Sequence, residues 1–294
     1  MTDMLSQIAV LLTCFNRREK TLSAMAALFR QKGLGELFNL QVFLVDDGSS
    51  DGTGDAVRAA YPDINVIEGT GELYWNGGMR LAFSHGVKKA PDYMLWLNDD
   101  TDLDVDAVMR LLITSRDLAA EGHSATMVMG ATRDPISGEM TYGGYQRRPG
   151  AVMRLKSVPP LPDRPLSVAT VAGNCVLVSQ DAIRKVGNLE RQFFHAWGDV
   201  DYGLRLRQMG GSVWLAPAYV ASCAANPAAQ KWQDDAGLSL KERFRNINSF
   251  RGLYAPDWRL FNRRHGGLLW PLSWCLPYAK LFVRHLQFRC RSLH

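Results

Sequence analysis

Three short apolar runs, each stopped by a polar cluster, constrain this chain more than any other feature. Ile8-Ala9-Val10-Leu11-Leu12 stops at Thr13 and Asn16. Val42-Phe43-Leu44-Val45 stops at Asp46-Asp47-Gly48-Ser49-Ser50, and Tyr93-Met94-Leu95-Trp96-Leu97 stops at Asn98-Asp99-Asp100-Thr101. Such runs are too short for core helices and too uniformly apolar for a half-solvated sheet, so they read as strands covered on both faces. Between them Leu22, Met25, Ala26 and Phe29 recur at helical spacing. Further helices are expected at about 53–60, 76–88 and 105–120, with a short strand at 64–67. Strands alternating with helices predict an α/β fold with a mixed, mostly parallel sheet flanked by helices. In such sheets ligands bind beyond the carboxyl ends of the strands, where the polar clusters lie.

Downstream, a strand is expected near Met127. Seven of the 13 prolines fall between 135 and 217, and 133–167 reads as an excursion with hairpin character around Tyr142-Gly143-Gly144. The sheet resumes at 167–178, a helix follows Ser179, another spans 199–209 with Leu204 on its inner side, and a last strand covers 212–216. Hydrophobic residues make up 47% of the 294 and charged residues 21%, the balance of a folded chain. No apolar run approaches the ~20 residues of a membrane span. The five cysteines are scattered without a C-x-x-C pair, which argues against a disulfide framework or zinc cluster and for a reducing compartment.

The formal charge of +5 is unevenly placed. Residues 251–294 carry eight Lys/Arg against a single acid, Asp257, so the first 250 residues are slightly acidic. That distribution predicts no nucleic-acid groove across the main body.

Each strand-end cluster supports two readings. Asp46-Asp47-Gly48-Ser49 suits either an Asx turn with a helix cap or an acid facing a base or ribose. Asn98-Asp99-Asp100 suits helix capping or, as hard oxygen ligands, Mg2+ or Mn2+ bridging a diphosphate. His195-Ala196-Trp197-Gly198-Asp199 places an acid at a helix mouth beside a Trp suited to sugar stacking; the acid can cap the helix or serve as a general base. His195 itself reads as a structural or rim residue and not as a catalyst. Gly69-Thr70-Gly71 lacks the third glycine of a dinucleotide fingerprint, and no Walker loop is present.

Taken in order, Thr13-Cys14-Phe15-Asn16-Arg17, Val45-Asp46-Asp47-Gly48-Ser49, Asn76-Gly77-Gly78, Leu97-Asn98-Asp99-Asp100-Thr101, Gly173-Asn174 and Trp197-Gly198-Asp199-Val200-Asp201-Tyr202 resemble the family-2 glycosyltransferases of GT-A (Rossmann-like) fold. The resemblance covers about residues 6–225. The Glu72-Leu73-Tyr74-Trp75-Asn76 loop is similar to that of bacterial rhamnosyl- and galactofuranosyltransferases of O-antigen, capsule and cell-wall assembly. The resemblance implies that Thr13, Asn16 and Asp47 line the nucleoside pocket, with Asn76 near the donor and Asp99 on its ribose or sugar side. It gives Asp100 as the principal metal ligand beside Asn98, with Mg2+ or Mn2+ as cofactor. Asp199 matches the catalytic base of an inverting transfer. Trp197, Gly173 and Asn174 match the acceptor-side wall, and Arg205 and Asp201 the supporting helix. One departure concerns the metal: relatives place a His shortly after the last strand, where this chain has Cys223.

The implied reaction takes a UDP- or dTDP-linked sugar to a glycan, with a polyprenyl-diphosphate-linked glycan as the expected acceptor. A soluble acceptor, or a silent nucleotide- or carbohydrate-binding scaffold of the same fold, are the alternatives. Residues 1–230 are expected to form the catalytic domain and 231–294 a basic helical appendage. The apolar run 268–279 holds two prolines and ends at Lys280, too short to span a bilayer. With Trp258, Trp270 and Trp274 among basic side chains, the tail is expected to lie on an anionic membrane surface; packing on the catalytic domain or on a second protomer is the alternative. No secretion signal is read at the start, so the expected location is cytoplasmic and peripheral, at the inner face of the cytoplasmic membrane.

Overall fold

The computed structural model describes residues 5–150, 152–224, 232, 235–249 and 252–291. The strands are β1 (Ser6–Cys14), β2 (Phe38–Asp46), β3 (Asn65–Glu68), β4 (Tyr93–Leu97), β5 (Asp102–Leu103), β6 (Thr126–Arg133), β7 (Met140–Tyr142), β8 (Gly144–Arg147), β9 (Leu155–Val158), β10 (Leu166–Ser167), β11 (Thr170–Val171), β12 (Cys175–Ser179) and β13 (Ser212–Ser222). The helices are α1 (Arg18–Phe29), α2 (Thr53–Ala60), α3 (Tyr74–Gly86), α4 (Ala107–Ala120), α5 (Gln180–Val186), α6 (Gly198–Gln208), α7 (Leu240–Ile247), α8 (Ala255–His265) and α9 (Trp270–Arg291).

The main sheet runs β10-β13-β6-β12-β4-β1-β2-β3, with β5 beside β13 and β7 beside β6. β1 pairs in parallel with both β2 and β4, β2 with β3, and β6 with β13. Alternation along each central strand serves both faces, because successive side chains point to opposite sides. Ile8, Val10 and Leu12 join Leu95 and Leu97 under α1 and α4, whereas Ala9 and Leu11 join Met94 and Trp96 under α3 and α6. In α3 the buried positions Met79, Ala82, Phe83 and Gly86 form one helical stripe. Gly78 lets this helix close on β1, since a Cβ there would collide with the Thr13 side chain.

Three expectations are corrected in detail. The apolar run 167–178 is broken: β10 pairs with β13, β11 crosses to a small sheet ordered β11-β8-β9, and only β12 enters the middle of the main sheet. There β12 lies antiparallel between β4 and β6, a direction that side-chain alternation does not encode. Finally, Leu206 takes the sheet-facing position of α6, whereas Leu204 packs on a separate cluster of Met153, Phe193, Val200, Trp258 and Phe261.

That third cluster joins α8 to the rest of the molecule. Pro256 sits in the first turn of α8, where its missing N–H costs nothing, and Trp258, Phe261, Asn262 and His265 form its inward stripe. Trp258 is only 8% exposed and donates Nε1–H to the Trp274 carbonyl at 3.1 Å, so of the three tail tryptophans it belongs to a core. Among the described residues no helix is long and apolar enough to cross a membrane. The expected boundary at 230 lies outside the described residues.

Candidate active site

The strand-end clusters converge on one cleft of about 680 Å3, lined by Thr13, Arg17, Asp47, Trp75, Asp99 and Asp100 among others. Two loops at its floor are tied together by side chains. Asn16, at φ 52°, accepts N–H bonds from Ser50 (2.7 Å) and Asp51 (3.3 Å), while its own N–H donates to Ser49 Oγ at 2.9 Å. Buried Asp47 accepts three backbone N–H bonds, from Gly71 to Oδ1 (2.8 Å) and from Leu73 (2.8 Å) and Tyr74 (2.9 Å) to Oδ2. Asp47 thereby holds the 69–74 loop and the positive φ of Tyr74 (52°), an unfavourable conformation for a bulky residue, so that Tyr74 and Trp75 line the cleft. Asn76 is fully buried and donates Nδ2–H to the carbonyls of Glu190 and Phe193, which puts it behind the cleft wall.

Asp99 and Asp100 share one cation of the chain. Arg17 Nη1 lies 3.1 Å from Asp99 Oδ1 and 2.8 Å from Asp100 Oδ2. Burial pushes Asp99 up to about 6, with the Asp100 charge adding to the rise and Arg17 opposing it. Cys223 donates its thiol to Asp100 Oδ1 at 3.6 Å, so the thiol sits beside Asp100. Burial, and then the Asp100 charge, push that thiol up to about 12, which keeps it protonated. Asn98 turns to the other side and accepts Trp75 Nε1–H at 2.8 Å, while Asn174 donates Nδ2–H toward Cys223 Sγ at 3.9 Å.

Asp199, at the first turn of α6, is half-buried behind Trp75. Its Oδ2 accepts the Gly173 N–H at 2.7 Å and its Oδ1 the Val200 N–H at 2.8 Å. Gly173 is needed for this approach: a Cβ there would lie 2.5 Å from the Trp75 ring and 3.0 Å from Asp199 Cβ. Burial raises the Asp199 pKa above the ordinary carboxylate range, against the two N–H bonds. Burial and then the Asp199 charge push the neighbouring Tyr145 up to about 12. Trp197 turns away from the cleft. At φ 70° it caps α6, and its ring packs on Trp258 and Phe261 at 4.9 and 4.7 Å between centroids.

Behind Asp199, α8 clamps this segment twice. Asp257 is 1% exposed, and its carboxylate accepts N–H bonds from Phe194 (3.0 Å), His195 (2.8 Å) and Ala196 (2.9 Å). Asp201, fully buried, meets Arg205 Nε at 2.7 Å, Arg264 Nη1 at 3.0 Å and His265 Nε2 at 2.8 Å. Burial alone would raise its pKa, but these three partners together hold it below the usual range. Arg205 also donates to the carbonyls of Val186 and Asn188, fixing α6 to the loop after α5.

The profile of glycosyl transferase family 2 matches residues 9–187, more than half of the chain. The chain belongs to that family. This glycosyltransferase is 23% identical over 314 residues to the N-acetylglucosaminyl-diphospho-decaprenol L-rhamnosyltransferase of Mycobacterium tuberculosis, in strains CDC 1551 and H37Rv alike, covering 98% of this chain and 94% of the relative. Among solved structures it is similar to GalNAc-T7 crystallised with UDP, GalNAc and Mn2+, with a TM-score of 0.59 and 13% identity. That match covers 99% of this chain but only 58% of the neighbour's length, and it supports the GT-A fold.

Sequence reasoning passed over several residues of the glycosyltransferase's site. Lys20, Tyr74, Trp75, Tyr142 and His195 line the cleft, and burial lowers the pKa of His195. A signal for Arg17 and Lys20 existed: two cations just after the first strand end suit a diphosphate. No signal in the sequence pointed to Asp257, the lone acid of a basic segment, as the anchor of residues 194–196.

Proposed function

We propose that this glycosyltransferase moves a sugar from a UDP- or dTDP-linked donor, with inversion, to a hydroxyl of a polyprenyl-diphosphate-linked glycan. The carrying observation is Asp199, a carboxylate fixed by two backbone N–H bonds behind the cleft wall, with its proton affinity raised by burial. Asp199 takes the proton of the acceptor hydroxyl, whose oxygen bonds to the anomeric carbon as the bond to the nucleoside diphosphate breaks on the opposite face. Arg17 and Lys20 are placed to meet the departing diphosphate.

The residues at the strand ends suit a divalent cation. A guanidinium already bridges Asp99 and Asp100, and Asp99 Oδ2 is buried with no hydrogen-bond partner among the described residues. Asp100 and Asp99 would hold Mg2+ or Mn2+ through hard oxygens. A cation there neutralises charge on the leaving diphosphate.

The acceptor class is supported by the mycobacterial relative, whose name gives its acceptor as N-acetylglucosaminyl-diphospho-decaprenol. A peripheral position at the inner face of the cytoplasmic membrane follows from that reading. Leu272, Phe282, Val283 and Leu286, at helical spacing on α9, are each 47–56% exposed among basic residues, as an interfacial helix requires. Residues 1–230 then carry the donor cleft and Asp199, α8 braces the segment around Asp199, and α9 is the membrane-facing part.

Radiolabelled transfer with a panel of UDP- and dTDP-sugars, dTDP-rhamnose included, tests the reading. Asp199→Asn is expected to lose ~10²–10⁴-fold in transfer while UDP binding with Mn2+, followed by calorimetry, is retained. Turnover retained within threefold would remove Asp199 as the base.

A further inference from the structure

The geometry points to a second subsite: the cavity of about 470 Å3 between the β8–β9 hairpin end, Trp197 and α9 holds the diphosphate and first isoprenyl unit of the acceptor. This rests on the lipid-diphosphate acceptor proposed above. Arg148 and Arg154 lie one residue beyond the paired ends of β8 and β9 and continue their register, the Arg148 N–H donating to the Arg154 carbonyl at 2.9 Å. Residues opposed in this way in an antiparallel pair present their side chains to one face, so the two guanidinium groups stand together. Lys280 of α9 supplies a third cation. Among the described residues none of the three side chains has an ion pair, and no acid lines the cavity. Three uncompensated cations around one cavity suit a diphosphate.

The remaining wall is of opposite character. Trp197, Met153, Leu276 and Pro277 present apolar surface, which the head of a free nucleotide or an inorganic phosphate would leave uncovered. An isoprenyl diphosphate uses both walls. Leu272 lies four residues before Leu276, and Val283 three after Lys280, so the exposed stripe of α9 continues the apolar wall out of the cavity.

Position relative to the chemistry supports the assignment. Trp197 lines this cavity, Asp199 two residues on touches Gly173, and Gly173 abuts Trp75 of the donor cleft. Asp199 is thus tied to the wall of each cavity, through Gly173 and Trp75 on the donor side and through the 197–199 backbone on the other, as an acceptor sugar carried on the bound diphosphate would need.

Farnesyl diphosphate is the soluble probe, titrated by calorimetry into the full-length protein without divalent metal. Binding at least tenfold tighter than inorganic pyrophosphate or farnesol is expected. Arg148→Glu/Arg154→Glu and Lys280→Glu should each weaken it tenfold or more, Arg154→Lys should restore most of it, and UDP binding with Mn2+ should stay within twofold. Wild-type protein that ignores farnesyl diphosphate, or variants that bind it unchanged, would overturn the subsite. So would pyrophosphate binding as tightly as farnesyl diphosphate, or variants that lose phosphatidylglycerol vesicles but keep the probe, since the cations would then serve the headgroup layer. Transfer assays separate the two readings. Transfer to soluble glycans alone would defeat the acceptor proposal. Transfer to a lipid-diphosphate glycan with acceptor KM unchanged by Arg154→Glu would defeat only the subsite.

Discussion

Two groups of acids in this molecule are both neutralised by arginine, yet they differ in access to water. Asp99 and Asp100 share Arg17, whose side chain is 42% exposed. Asp201 is wholly buried and shared among Arg205, Arg264 and His265. A solvent-reached ion pair contributes ~0–1 kcal/mol, so its cation can be exchanged at little cost. A buried pair that loses one member is left with a desolvated charge, at ~3–5 kcal/mol. The same side-chain chemistry therefore makes an exchangeable ligand site at the strand ends and a fixed frame under α6.

The largest expected effect probes the frame. Asp201→Ala should lower stability by ~3–5 kcal/mol in urea unfolding; a loss below 1 kcal/mol would make the buried network as exchangeable as the strand-end one. Asp257→Ala takes the shared acceptor from the part-buried backbone N–H groups of 194–196, and with water able to replace some of these bonds it should cost about 1–3 kcal/mol. It should also slow transfer with UDP affinity unaltered, and unaltered turnover would show that the clamp does not serve the base.

The two groups also predict opposite pH slopes. Asp99 binds its proton more tightly folded, at about 6, than at its ordinary 3.8, so its favourable contribution is full below 3.8 and is lost as pH rises to about 6. Asp99→Asn should therefore stabilise the metal-free protein at pH 7 by on the order of 2 kcal/mol, and not at pH 3. The lowered pKa of Asp201 works the other way: its contribution is present above 3.8 and is lost as pH falls through the folded value. Identical slopes for wild type and Asp99→Asn in thermal melts between pH 4 and 7 would contradict this.

The smallest effect is Arg17→Ala: Asp99, whose side chain is 7% exposed, loses its cation but can take up a proton in its place, so the loss of stability should stay below that of Asp257→Ala. The substitution should tighten Mn2+ binding measured without nucleotide, because the competing cation is gone. Weaker Mn2+ binding would make Arg17 a partner of the metal site instead of its rival.

The order of strands and helices and the cleft at the strand ends were legible because apolar runs and polar stops are local. The direction of β12 was not, since a short apolar run reads alike either way. The same limit applied to side-chain roles. Asn16 and Asn76 carry the residue types of ligand contacts, but their hydrogen bonds go to backbone groups 34 and 114 residues away. Trp197 was legible as a feature of the α6 mouth, but its ring direction depends on a positive φ and on tail aromatics that spacing does not connect to it. The basic tail read as a separate appendage because its ties to Asp201 and residues 194–196 become visible only in three dimensions.

The Asp257 clamp also sets a timetable. Its bonds close loops of 61 to 63 residues, whereas the β1–β2 pairing that floors the donor cleft joins segments about half as far apart. Closing a longer loop costs more chain entropy, and during synthesis α8 emerges after everything it clamps. A nascent chain can thus form the floor of the strand-end cleft before residues 194–196 are anchored. The segment that leads into Asp199 is fixed only once α8 has docked.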